Sequence, residues 1–102
     1  PMIKRDFWIS KIEAAWLDRS IIWLSGVRRV GKTSLCQSLE AVEYYNCELP
    51  RIQEQLTDPE QFYLKNPGKR IILDEIHVLP NPSMVLKIAA DHFPEIKVIA
   101  TG

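Results

Sequence analysis

The stretch from Ile21 to Leu35, IIWLSGVRRVGKTSL, determines which fold this sequence predicts. It joins a short apolar run to two glycines five residues apart, and lysine and threonine follow the second glycine directly. The chain has only four glycines, so this placement needs a specific reason. Residues 26–33 fit the pattern G-x-x-x-x-G-K-S/T, which forms a phosphate-binding loop when it joins a strand to a helix.

Each residue type in this pattern has a physical role. Glycines let the backbone curl so that successive N–H groups point at phosphate oxygens, and the following helix adds its positive dipole end. Lys32 supplies a mobile positive charge for the β- and γ-phosphates, and the Thr33 hydroxyl can coordinate magnesium. A turn without a ligand is the plainer interpretation, but the strand and helix on either side favour a nucleotide site. Its predicted residues are Gly26, Val27, Arg28, Arg29, Val30, Gly31, Lys32, Thr33 and Ser34.

A second motif, IILDEIH at residues 71–77, ends an apolar run in two adjacent acids. Neighbours on a strand point to opposite sides, so Asp74 and Glu75 are expected to have different roles. Asp74 can hold magnesium through water, and Glu75 can polarise an attacking water molecule. Acidic residues also occur at the ends of strands where they have no catalytic or binding role. The phosphate-loop pattern upstream is what favours the functional interpretation.

Strands and helices alternate along the chain, which predicts an α/β domain with a mostly parallel sheet covered on both faces. Apolar runs predict strands at residues 21–24, 42–47, 69–74 and 96–102. Helical spacing predicts helices at residues 6–18, 32–41 and 82–93, the last with Asn81 as its cap, and two short helices starting near Pro50 and Pro59. Trp8, Trp16 and Trp23 lie in apolar stripes and are expected in the core.

Composition sets the broad class of the protein. A chain of 102 residues that is 46% apolar and 25% charged predicts one globular domain over residues 1–102. Thirteen basic residues balance thirteen acidic ones, so a nucleic-acid partner is possible but unsupported. No apolar run approaches the ~20 residues of a membrane helix, and we expect no membrane partner. Cys36 and Cys47 are expected as reduced, buried thiols, which favours the cytoplasm.

The segments GVRRVGKTSL, YYNCELPRIQEQLTDPEQF, IILDEIHVLPNP and KVIATG resemble the AAA-type ATPases of bacteria and archaea whose Walker A motif reads G-x-R-R-x-G-K-T. Members of that family often carry a separate nuclease-like C-terminal domain. The resemblance covers nearly the whole chain. It implies a three-layer P-loop fold of the ASCE/AAA type, ATP and Mg²⁺ as cofactors, and ATP hydrolysis with Lys32 and Glu75 as catalytic residues. It also makes Thr101 the polar sensor that touches the γ-phosphate or the water.

A glutamate directly after the Walker B aspartate is typical of the P-loop class with an extra strand between the Walker A and Walker B strands. With strands numbered along the chain, the expected order is 2-3-4-1. By resemblance, a fifth strand and a lid should follow Gly102, so the domain is expected to be incomplete. The remainder of a longer chain, or self-association through residues 21–25, would cover the apolar edge strand.

Two other functions fit the same motifs. A small-molecule P-loop kinase would have a similar phosphate loop, but it needs an acceptor pocket and an arginine-bearing lid, and the Asp-Glu pair favours water as the acceptor. A nucleotide-binding fragment without turnover is also possible, because hydrolysis in this class usually needs a neighbouring subunit or a lid. A phosphate assay with and without candidate acceptors separates the three.

Overall fold

The structure is a computed structural model, and it describes residues 2–24, residue 39 and residues 41–102. The predicted phosphate-binding segment, residues 26–34, and nearly all of the predicted helix at 32–41 lie outside the described residues. The side chain of Trp8 lies outside them as well.

Helices and strands alternate in the order that the sequence predicts. The helices are α1 (Met2–Asp18), α2 (Pro50–Gln55), α3 (Pro59–Leu64) and α4 (Pro82–His92). The strands are β1 (Ile21–Leu24), β2 (Val42–Asn46), β3 (Arg70–Asp74) and β4 (Lys97–Thr101). A single 3₁₀ turn, Ile76–Val78, follows β3 and was not predicted.

Proline and side-chain caps fix the starts of the later helices. Helices α2, α3 and α4 each begin with proline, whose missing N–H would have no partner in the first turn of a helix. The Asn81 side chain accepts a hydrogen bond from the Met84 amide at 3.2 Å, which confirms the predicted cap. Asp58 caps α3 in the same way through the Gln61 amide, at 3.3 Å. Helix α1 begins four residues earlier than predicted, at Met2 rather than Asp6.

The described strands form one four-stranded sheet in the order β1-β4-β3-β2, which reads β2-β3-β4-β1 from the opposite edge. All three pairings are parallel, so the four strands start at one edge and finish at the other. We call these the amino edge and the carboxyl edge of the sheet. The register places Leu24 of β1 beside Thr101 of β4, and Asn46 of β2 beside Asp74 of β3.

Helices cover both faces of the sheet, and alternate strand residues point into the two layers. On one face α1 packs Ile12 and Trp16 against Ile72 and Ile99. On the other face lies a larger apolar cluster to which α2, α3 and α4 contribute. Its members include Ile52, Leu56, Phe62, Tyr63, Ile71, Leu73, Val85, Ala89, Val98 and Ala100. This arrangement is an α/β fold with an all-parallel sheet, as expected for a P-loop NTPase-like domain.

Tyr63 places a hydrogen-bonded hydroxyl inside the larger apolar cluster. Its ring is completely buried, and its hydroxyl donates a hydrogen bond to the Val85 carbonyl at 2.9 Å, which joins α3 to α4. Burial raises the pKa of the Tyr63 hydroxyl above its ordinary value, so this donor keeps its proton well into the alkaline range.

One core prediction is wrong. Trp16 is buried as expected, but the side chain of Trp23 is 46% exposed. Trp23 lies on β1, and β1 is an edge strand of the described sheet, with a neighbour on one side only. An apolar run of four residues predicts a strand, but it does not show how far each side chain of that strand is covered. Association through β1 stays a prediction, to be tested by sedimentation of the isolated chain.

Two further expectations concern the cysteines and the membrane. Cys47 is a free thiol and fully buried, as predicted, whereas Cys36 lies outside the described residues. Within residues 2–24 and 41–102, every helix is too short or too polar to span a lipid bilayer.

Candidate nucleotide site

The buried polar residues of the sheet collect at its carboxyl edge. Asp74 is the last residue of β3 and Thr101 the last residue of β4, and they are 1% and 0% exposed. The neighbouring strand β1 ends at Leu24, which pairs with Thr101. Ligands of open parallel α/β sheets bind at the carboxyl ends of the strands. Asp74 and Thr101 therefore lie at the edge where such a ligand is expected.

Hydroxyl groups hold both oxygens of the Asp74 carboxylate. The Thr101 hydroxyl donates to Asp74 Oδ1, and the Tyr44 hydroxyl donates to Asp74 Oδ2. Thr101 Oγ1 in turn accepts a hydrogen bond from the Glu75 amide at 3.0 Å. A carboxylate that is removed from water needs such partners, because burying it without them is costly. The middle of β2 and the ends of β3 and β4 are thereby joined through one acid.

Glu75 has a different backbone setting from Asp74. It follows the last residue of β3 and adopts the left-handed region, with φ 57° and ψ 44°. A non-glycine residue held there costs about 1–3 kcal/mol, and such strain occurs often at functional sites. The two acids have different backbone conformations and hydrogen-bond partners. Strand alternation is not the reason, because Glu75 lies in the turn after β3. This corrects the physical basis of the sequence prediction.

The turn brings His77 against the Glu75 carboxylate. The Glu75 side chain is only 12% exposed, and its Oε1 lies 3.6 Å from Nδ1 of His77, which is half-exposed. Gly102 lies against the same imidazole with φ 131°. A Cβ at this position would collide with His77 Nδ1 and would lie 3.3 Å from the Ile76 nitrogen. The positive φ and this close contact favour glycine at the end of β4 beside this turn.

The nearby Cys47 is not a nucleophile. Its amide donates to the Asp74 carbonyl at 2.9 Å, which extends the pairing of β2 with β3 by one residue. Burial, and after it the negative charges of Asp74 and Glu75, raise the pKa of the Cys47 thiol to about 12. The thiolate is the reactive form of cysteine, so this thiol is inert at neutral pH.

The oxygen donors at the carboxyl edge fit magnesium better than a transition metal. Among the described residues, no group of three or more His, Cys, Asp or Glu side chains could hold a metal ion by itself. Mg²⁺ does not need such a group, since it binds through one or two carboxylates together with waters and substrate phosphates. Asp74 is one carboxylate of the kind required. Thr33, the other predicted ligand, lies outside the described residues.

Comparison with known proteins agrees with this geometry. The model of a family described as "AAA domain" matches residues 18–102. The chain belongs to this family. Membership in an AAA family implies nucleotide binding, and the four parallel strands between helical layers fit an ATPase of this type. No curated protein and no solved structure matches the chain.

The structure of this AAA domain brings three predicted site residues together and adds a fourth. Asp74, Glu75 and Thr101 are adjacent, whereas all the predicted phosphate-loop residues, including Lys32, lie outside the described part. Tyr44 was not predicted. Only the register could have indicated it: β2 runs beside β3, and Tyr44 stands two residues before Asn46, the partner of Asp74. Residues two apart on a strand share a face, so Tyr44 lies on the side of the Asp74 carboxylate.

Proposed function

We propose that this AAA domain binds ATP with magnesium at the carboxyl edge of its sheet and hydrolyses it. The observation that carries the proposal is the buried Asp74 carboxylate, held by hydroxyls beside Glu75. Buried acids with defined partners in such a position are candidates for chemistry. We also propose that the chain is one of the ATPases whose phosphate loop reads G-x-R-R-x-G-K-T, as the sequence resemblance implies.

Chain connectivity supports the pairing of this acid with the phosphate-binding motif. The motif begins two residues after Leu24, the last residue of β1. Strand β4 separates β1 from β3, so the ends of these two strands lie about 10 Å apart at a spacing of about 4.8 Å per strand. A magnesium–phosphate group and the Lys32 side chain can span that gap. One nucleotide can thus meet both the motif and Asp74.

Each residue then has a distinct task. In the proposed site the backbone N–H groups of residues 26–34 and the Lys32 ammonium bind the phosphates, and Thr33 and Asp74 hold the magnesium. Magnesium bound there neutralises charge that develops on the phosphate oxygens. Glu75 orients a water molecule and accepts its proton as the water attacks the γ-phosphorus, and ADP leaves. Thr101 fixes Asp74 and the Glu75 amide in place, and its contact with the nucleotide remains a prediction.

A phosphate-release assay with the longest available form of the chain tests the proposal. We expect release from ATP in Mg²⁺ but not in EDTA, and no dependence on added acceptor molecules. Lys32→Ala should abolish nucleotide binding by removing the principal cation. Asp74→Asn should retain binding in EDTA and lose the gain that magnesium gives. Transfer of phosphate to an added acceptor would support a kinase instead, and binding without release would support a nucleotide-binding module.

The buried Cys47 thiol also supports a reducing compartment, and we propose the cytoplasm as the location.

A further inference from the structure

Tyr44 lies where it can control how Asp74 is oriented. It is a half-buried residue of β2, and it packs against the smaller cluster formed by α1, Ile72 and Ile99. Its ring lies beside Ile72, because the two residues are partners in the register of β2 and β3. Asp74 is two residues further along β3, about 6.6 Å away at 3.3 Å per residue. A tyrosine side chain is long enough to cross that distance, and its hydroxyl reaches Asp74 Oδ2.

The hydroxyl of Tyr44 is the second of two hydroxyl donors that bind the Asp74 carboxylate. Thr101 holds Oδ1 from the β4 side, and Tyr44 holds Oδ2 from the β2 side. The terminal torsion of an aspartate is broad, so a carboxylate held at one oxygen can still rotate. Donors on both oxygens fix its plane. Both donors are neutral hydroxyls, so their contribution is to the orientation of the carboxylate.

We propose that Tyr44 is a positioning residue for magnesium: its hydroxyl fixes the plane of the Asp74 carboxylate so that this oxygen ligand meets the cation of bound Mg–ATP. The proposal rests on the proposed function. Groups that hydrogen-bond to a metal ligand commonly change metal affinity or activity about 10- to 100-fold when they are removed. Tyr44 is such a group, and it acts through Asp74 without touching the nucleotide.

The chain offers a matched control in the next residue. Tyr45 points to the opposite face of the sheet, where its ring packs edge-on against Phe62 with 5.0 Å between centroids. Its hydroxyl donates to Glu43 Oε1 at 3.0 Å, away from Asp74. Tyr44→Phe and Tyr45→Phe thus delete the same atom from neighbouring residues of one strand. Only the first deletion removes a donor from the carboxylate.

The experiment is a calorimetric titration of ATP into the wild-type chain and both variants, in EDTA and at a series of Mg²⁺ concentrations. Thermal unfolding is recorded for each protein as well. For Tyr44→Phe we expect the Mg²⁺ concentration at half-maximal enhancement of ATP binding to rise about 10-fold. ATP affinity in EDTA should not change, and saturating Mg²⁺ should restore binding and turnover. Tyr45→Phe should match the wild type in its ATP affinity and in its Mg²⁺ dependence.

Two results would overturn the inference while leaving the proposed function intact. In one, Tyr44→Phe has the Mg²⁺ dependence of the wild type. In the other, both variants weaken ATP binding equally in EDTA and in Mg²⁺, as a purely structural loss would. A wild-type chain that binds no Mg–ATP at all would overturn the proposed function, and this inference with it.

Discussion

The two ends of strand β3 carry opposite charges, and one of them is partly exposed to water while the other is buried. At the amino edge, Arg70 Nη2 lies 2.7 Å from Glu13 Oε1 of α1, and these side chains are 32% and 43% exposed. The Arg70 guanidinium also lies 5.1 Å from the centre of the Trp16 ring. At the carboxyl edge, Asp74 is almost completely buried and is held by the hydroxyls of Tyr44 and Thr101.

We interpret this difference as one between a charge that supports the fold and a charge proposed to bind a ligand. An ion pair that is partly in water costs little to form and contributes at most about 1 kcal/mol, so the pair at the amino edge needs no explanation beyond joining α1 to the sheet. The buried Asp74 carboxylate accepts hydrogen bonds from two hydroxyls at the carboxyl edge, where ligands of parallel α/β sheets bind. We therefore propose that the carboxyl edge serves ligand chemistry and that the amino edge serves the architecture.

The largest expected effect is on the rate of ATP hydrolysis, which should depend on an acid at the carboxyl edge and not on one at the amino edge. Glu75→Gln keeps the shape of the side chain but removes the proposed proton acceptor, so ATP hydrolysis should fall by about 10²- to 10⁴-fold while ATP binding persists. Glu13→Gln makes the same chemical change at the amino edge and should leave turnover unchanged. Steady-state phosphate release and equilibrium ATP binding measure both. Equal rates for the two variants would remove the distinction between the edges.

An intermediate effect is expected for Thr101. Thr101→Val preserves the shape of the side chain but removes the donor to Asp74 Oδ1 and the acceptor of the Glu75 amide. Turnover should fall by about 10- to 100-fold because the acid loses its orientation. The free energy of unfolding should also fall, by about 1–3 kcal/mol, because the buried Glu75 amide loses its partner. Urea denaturation and phosphate release measure the two losses. A change in stability alone would make Thr101 purely structural.

The smallest expected effect concerns the ion pair itself. Glu13→Gln removes one charge of a half-exposed pair, so the free energy of unfolding should fall by no more than about 1 kcal/mol. The loss should be smaller at high salt, where exposed charges are screened. Urea denaturation at low and high ionic strength provides the measurement. A loss of several kcal/mol that is insensitive to salt would mean that the amino edge behaves like a buried site.

Much of the fold could be predicted from the sequence because local signals were strong. Prolines marked the starts of three helices, Asn81 marked a cap, and apolar runs located all four described strands. The turn after Asp74 could not be predicted, because nothing in a glutamate side chain signals a left-handed backbone. Trp23 was misplaced because an apolar run does not show which of its side chains are covered, although the expected strand order already put β1 at an edge of the sheet.

The residues of the candidate site also divide into those that the sequence could predict and those that it could not. Asp74 and Glu75 were identified because adjacent acids at a strand end have a chemical meaning beside a phosphate-loop motif. Thr101 was identified by resemblance, and the structure adds that its hydroxyl is bonded to Asp74. Tyr44 could not be found from a motif, since its contact with Asp74 depends on the register of two strands that lie 28 residues apart at their starts, Val42 and Arg70.

A titration of the isotope-labelled chain with Mg–ATP, followed through the backbone amide resonances of the sheet, tests whether the carboxyl edge binds the nucleotide. We expect shifts at the carboxyl edge, at the amides of Glu75, Thr101 and Gly102, and little change at the amino edge, at the amides of Arg70 and Lys97. Shifts confined to the amino edge, or a spectrum unchanged at saturating Mg–ATP, would contradict it.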